Sequence, residues 1–78
     1  MQQLNQLILD ENGVAFHPMM GNSYEVNTTG RYIIEALKKN QSNDEIIVEL
    51  SKRYKISTQE LYIDVYDFIS KLKMYGLA

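Results

Sequence analysis

Residues 57–77 read STQELYIDVYDFISKLKMYGL, a stretch that carries signals for both ends of one helix. Ser57 and Glu60 have the S-x-x-E spacing of a capping box, in which hydroxyl and carboxylate each satisfy a backbone N–H at the helix start. Ile56 before the cap and Leu61 after it can close a hydrophobic staple. At the far end Gly76 suits the left-handed position just past a helix, and Leu77 can pack beneath the last turn. Between these ends, at about 100° per residue, Leu61, Val65, Phe68 and Leu72 form a narrow apolar stripe expected in the core. Tyr62, Tyr66 and Ile69 form a second stripe roughly a quarter turn away, which Lys73 continues with its aliphatic stem. Glu60, Asp64, Asp67 and Lys71 take the polar side. The second stripe either widens the core or walls a groove, where tyrosine offers an apolar ring and a hydroxyl tip to a ligand.

Two more helices precede this one. Ser42 and Glu45 form another capping box, opening a helix to about Tyr54 whose core face is Ile46, Ile47, Leu50 and Tyr54, with Val48 pointing away. Asn27 or Thr28 caps a helix over Thr28 to Lys39, with Gly30, Ile33, Ile34 and Leu37 on one face. Gly30 lowers helix propensity, so close packing against the sheet is its expected reason. The polar run from Lys38 to Gln41 ends that helix.

The first half reads as strands. Leu7-Ile8-Leu9 and Val14-Ala15-Phe16-His17 flank Asn12-Gly13, the pair preferred by a two-residue type I′ hairpin turn. Such a turn sets Glu11 opposite Val14 and Leu9 opposite Phe16, and puts Leu7, Leu9, Val14 and Phe16 on the core side. Pro18 ends the strand because it cannot donate to a ladder. After the turn Met19 to Asn22, Ser23-Tyr24-Glu25-Val26 forms a third strand, with Tyr24 and Val26 sharing a face. In a meander this strand has a free edge that must be covered or will recruit another strand. The expected fold is α+β: a three-stranded antiparallel meander followed by three helices. It forms one domain over residues 1–78, with residues 1–5 a candidate disordered arm.

Composition narrows the function. A 78-residue chain buries only about 60% of its unfolded surface, and 45% hydrophobic content suits a globular domain. Cysteine is absent, which removes disulfides, thiolate catalysis and zinc–thiolate sites. No stretch is long enough to span a membrane and the N-terminus lacks a secretory pattern, so a soluble cytoplasmic protein is expected. The net charge of −2 argues against general polyanion binding. Residues 1–27 contain Asp10, Glu11 and Glu25 and no lysine or arginine. His17, the lone histidine, reads as a surface or half-buried strand residue. The carboxylate pairs Asp10/Glu11 and Asp64/Asp67 read as solvated surface. With no phosphate-binding loop or metal-ligand spacing, no catalytic residue, cofactor or metal is expected, and the chain is read as a non-enzyme.

The residues assembled so far resemble the PqqD-like family, the recognition elements of ribosomal peptide-modifying pathways. The resemblance is carried by Tyr24-x-Val26-Asn27-x-Thr29-Gly30, Ile33-Ile34-x-x-Leu37, Glu45-Ile46-x-x-x-Leu50 and Tyr54. It continues through Leu61-x-x-Asp64-Val65-x-x-Phe68-Ile69-x-x-Leu72 and Gly76-Leu77. It implies a small winged-helix-like domain that binds the leader segment of a precursor peptide and presents it to a maturation enzyme, such as a radical-SAM enzyme or a protease. The leader would add as a strand at the third strand and lie against the third helix. The matching positions here are Ser23, Tyr24, Glu25 and Val26 at the edge, with Tyr62, Tyr66, Ile69 and Lys73 as the helical wall. Strand addition is sound physically, since main-chain hydrogen bonds give affinity and pockets for alternate side chains give selectivity.

Two rivals share this surface pattern. Two capped helices joined by a short turn resemble a helix-turn-helix, making a nucleic-acid-binding protein the alternative. Against it, the recognition helix would present Glu60, Asp64 and Asp67 to phosphate, and its first basic residue is Lys71. Lys52, Arg53 and Lys55 before it read as a solvated helix end. A homodimer through the exposed strand edge would use the same edge as peptide capture.

Overall fold

Cap chemistry sets the helix boundaries. The structure, a computed structural model, describes residues 2–77; Met1 and Ala78, the ends of the expected domain, lie outside the described residues. In chain order the elements are α1 (Gln2–Asn5), β1 (Ile8–Leu9), β2 (Val14–His17), β3 (Asn22–Glu25), α2 (Thr28–Lys38), α3 (Asn43–Tyr54) and α4 (Thr58–Met74). Asn27 Oδ1 accepts the Gly30 N–H at 2.7 Å to start α2. At α3 the capping box is complete: Ser42 Oγ accepts the Glu45 N–H, and Glu45 Oε1 accepts the Ser42 N–H, each at 3.1 Å. At α4 the serine half forms, with Ser57 Oγ accepting the Glu60 N–H at 3.2 Å.

The C-termini are closed by left-handed residues. Gly76 has φ +75°, its N–H donates to Lys73 O at 3.0 Å, and the Leu77 N–H donates to Leu72 O at 2.8 Å, which together make a Schellman motif with Leu77 buried beneath it. Asn40, φ +61°, closes α2 the same way, with Asn40 N–H to Leu37 O and Gln41 N–H to Ala36 O. Lys55, φ +54°, ends α3.

The sheet is antiparallel in the order β1-β2-β3, but its hairpin register differs from the sequence expectation by one residue. Leu9 faces Ala15 and Ile8 faces Phe16. The Asp10 N–H donates to Val14 O at 2.9 Å, so the loop is Glu11-Asn12-Gly13 rather than Asn12-Gly13. Asp10 Oδ1 accepts the N–H groups of both Asn12 and Val14 at 2.9 Å, and this carboxylate stabilises the wider loop. Among its residues only Gly13, φ +83°, is left-handed, whereas type I′ requires positive φ at both central positions. A one-residue slip exchanges the faces of a strand. Ala15 and His17 are therefore buried, Phe16 is exposed, and Val14 and Leu9 are half-buried.

His17 is fully buried, contrary to the surface reading. Its Nδ1 accepts the Met20 N–H at 3.1 Å, which leaves Nε2–H to donate to Gln3 Oε1 at 2.9 Å. Both ring nitrogens are thus satisfied and tie α1 to the end of β2. The 1–5 arm is correspondingly structured over Gln2–Asn5, and Leu4 is among the least exposed residues of the core.

The core joins the inner sheet face to all the long helices through Leu4, Leu7, Ala15, Ile33, Ile34, Leu37, Ile46, Leu50, Leu61, Val65, Leu72 and Leu77. Two expectations change here. Tyr54 is exposed rather than part of the α3 core face. Gly30 packs against α4 rather than the sheet, since a Cβ there would lie 2.9 Å from Phe68 Cε1. On α2, Arg31 Nη1 donates to Asp10 O at 2.7 Å and Lys38 Nζ to Leu7 O at 2.8 Å, pinning the β1 backbone to the helix.

Candidate functional site

β3 pairs only with β2, which leaves its other edge free. In an antiparallel ladder, residues alternate between bonding their neighbour and facing away. Val26 N–H donates to Gly13 O at 2.7 Å, and Tyr24 faces Ala15, so the alternation turns the N–H and C=O groups of Ser23 and Glu25 to the free edge. The side chains of Tyr24 and Val26 point inward and pack on the core.

Between that edge and α4 lies a hollow of about 300 Å³. Its floor is apolar, from Leu7, Ala15, Ile34, Leu72 and Leu77, and its rim carries Tyr24, Glu25, Val26 and Asn27 on one side and Phe68, Lys71 and Tyr75 on the other. Tyr24 and Tyr75 meet across it with ring centroids 5.0 Å apart. The Schellman turn fixes Tyr75 there, because Tyr75 is the C-cap residue immediately before Gly76. Lys71 Nζ lies 3.3 Å from Asp67 Oδ2, an exposed i,i+4 pair that fixes little.

The sequence-predicted residues divide. Tyr24, Glu25 and Val26 line the hollow, and Ser23 precedes them on β3 without lining it. Tyr62 and Tyr66 do not: they stack on each other at 4.5 Å on the other flank of α4, 53% and 39% exposed. Tyr62 lines a shallow cleft of about 430 Å³ against α3, with Asp44, Ile47, Val48, Thr58 and Gln59. Ile69, at 6% exposure, belongs to the core. Lys73 is exposed, two turns beyond Tyr66 on the same flank. Sequence reasoning missed Phe68, Lys71 and Tyr75 as a set, although their i, i+3, i+7 spacing marks one helix line. Phe68 is half-buried and serves core and hollow together.

The α3–α4 cleft is larger but lacks an unpaired backbone edge. At β3 an apolar floor and free main-chain donors and acceptors lie side by side, which is what an extended chain needs. Among the described residues no three His, Cys, Asp or Glu side chains cluster as metal ligands, and no helix is long and apolar enough to cross a membrane. The Glu45 carboxyl is held below its ordinary range, through the Ser42 N–H first and the Ser42 hydroxyl second, a capping effect remote from β3.

No curated protein and no solved structure matches this chain. A family model described as Coenzyme PQQ synthesis protein D (PqqD) matches residues 7–78, from β1 through the Schellman turn. That span takes in the three strands, the three long helices and both walls of the hollow, and the protein belongs to the PqqD family.

Proposed function

We propose that this protein is a non-catalytic adaptor that captures the leader segment of a ribosomally made precursor peptide and presents it to a modifying enzyme. Membership of the PqqD family makes it an accessory protein of PQQ or ribosomal-peptide biosynthesis. The observation that carries the finer reading is the free edge of β3, whose Ser23 and Glu25 backbone groups flank an apolar hollow closed by Tyr24 and Tyr75. An extended peptide adding there would satisfy those groups and place alternate side chains over the hollow. The peptide-contacting residues are then Ser23, Tyr24, Glu25 and Val26 with Phe68, Lys71 and Tyr75. Tyr62, Tyr66, Ile69 and Lys73 fall away from the path of an added strand. The partner enzyme is a peptide maturase such as a radical-SAM enzyme or a protease, and the chain works in the cytoplasm.

The test is an amide-resonance titration with the leader of a precursor encoded beside this gene. Shifts should centre on residues 22–27 and 68–75. Saturable binding with shifts confined to residues 44–66 would move the site to the α3–α4 cleft, and absence of binding to any such leader would remove the adaptor reading.

A further inference from the structure

We infer that the outer face of the sheet is a docking surface for a protein partner presenting an apolar patch flanked by lysine or arginine. The observed register aims large apolar side chains at solvent. Ile8 and Phe16 sit opposite each other in the ladder and are 56% and 40% exposed. Val14 lies on the same face, and Met20 beyond the strand is also exposed. A solvated antiparallel face ordinarily carries polar side chains, and contiguous exposed apolar area marks interaction sites.

The charge around this patch is of one sign. Across residues 1–27 the charged side chains are Asp10, Glu11 and Glu25, all acidic. Glu25 shares the outer face with Ser23, Val14 and Phe16. Arg31 and Lys38 of α2 are engaged by the backbone of Asp10 and Leu7, and Lys71, across the hollow from Glu25, lies 3.3 Å from the Asp67 carboxylate. An apolar centre beside uncompensated carboxylates is complemented by an apolar, cationic partner surface, and it repels an anionic membrane or nucleic acid.

The face is also continuous with the free edge of β3. A strand added at that edge would direct every second side chain onto this same face. A partner seated there would touch the captured peptide directly. That last step rests on the adaptor reading; the docking surface itself does not.

The test uses a defined probe, a synthetic amphipathic helix of leucine and lysine, with the leucine–glutamate version as control, and no leader peptide in the sample. Failure of leader binding therefore cannot produce the result. The lysine probe should shift the amides of Ile8, Val14, Phe16 and Ser23 and bind at least about tenfold more tightly than the control. Phe16→Thr should weaken it about tenfold. Ile8→Thr, at the more exposed position, should also weaken binding and covers the case in which Phe16→Thr disturbs the fold. Equal affinity for both probes, or shifts centred on Val48, Tyr62 and Tyr66, would overturn the assignment. So would sedimentation showing self-association that Phe16→Thr abolishes, which would give the face to a second copy of the chain.

Discussion

The two flanks of α4 differ in what they border rather than in their own chemistry. Both carry aromatic residues at helical spacing, and both hold a close aromatic pair: Tyr24 with Tyr75 on one side, Tyr62 with Tyr66 on the other. The first flank faces an unpaired strand edge across an apolar floor. The second faces α3, a helix that offers no strand edge. Aromatic area therefore does not distinguish the two flanks; the neighbouring main chain does.

The largest test of this contrast is Ile69→Ala, which should cost about 2–4 kcal/mol because it empties a packed core position. Denaturant unfolding measures it, and a loss below about 1 kcal/mol would return Ile69 to the exposed stripe. Next, Tyr75→Ala should weaken leader binding about tenfold, or 1.4 kcal/mol, whereas Tyr66→Ala should change it less than twofold. Calorimetric titration of both variants would reverse the contrast if Tyr66→Ala proved the more damaging.

Gly30→Ala sharpens it further. Alanine gains up to about 1 kcal/mol in helix propensity, but its Cβ would press on Phe68 from 2.9 Å, and overpacking costs about 1–3 kcal/mol. A net loss near 1 kcal/mol is expected, with amide shifts spreading to the β3 side. A stabilised variant would mean that Phe68 yields freely. The smallest effect is a titration on the α3 side. The depressed Glu45 carboxyl contributes stability that is present above its unfolded-state value and is lost as pH falls through the lower folded one. Carboxyl NMR should show Glu45 titrating below its ordinary range, and Ser42→Ala should move it only part of the way back, since the Ser42 N–H remains, without altering the groove.

Much of the fold was legible because its signals are local. Ser42 with Glu45, and Gly76 with Leu77, name their own hydrogen-bond partners within six residues. Asn40 closes α2 as Gly76 closes α4, a signal present in the sequence as an asparagine in a polar run. The hairpin register was not legible from Asn12-Gly13 alone, since the Asp10 side chain selects the longer loop. That choice turned Phe16 outward and His17 inward. The site was half legible. Period-two alternation found Tyr24 and Val26, while the helical wheel of α4 gave two candidate flanks of similar chemistry. Which flank meets β3 depends on how α4 crosses the sheet, and nothing within residues 57–77 encodes that alone. His17 became interpretable only with Gln3, fourteen residues away, as its partner.

The tyrosine pair across the hollow also gives the protein an optical handle of its own. The chain has six tyrosines and no tryptophan, so its near-ultraviolet emission is tyrosine emission throughout. Of the two close pairs, only Tyr24 and Tyr75 span two elements separated by the proposed path of the peptide. Tyr75→Phe would silence one member while keeping the ring. Comparing its emission with wild type on adding a tryptophan-free, tyrosine-free peptide would report occupancy of the hollow without any attached label.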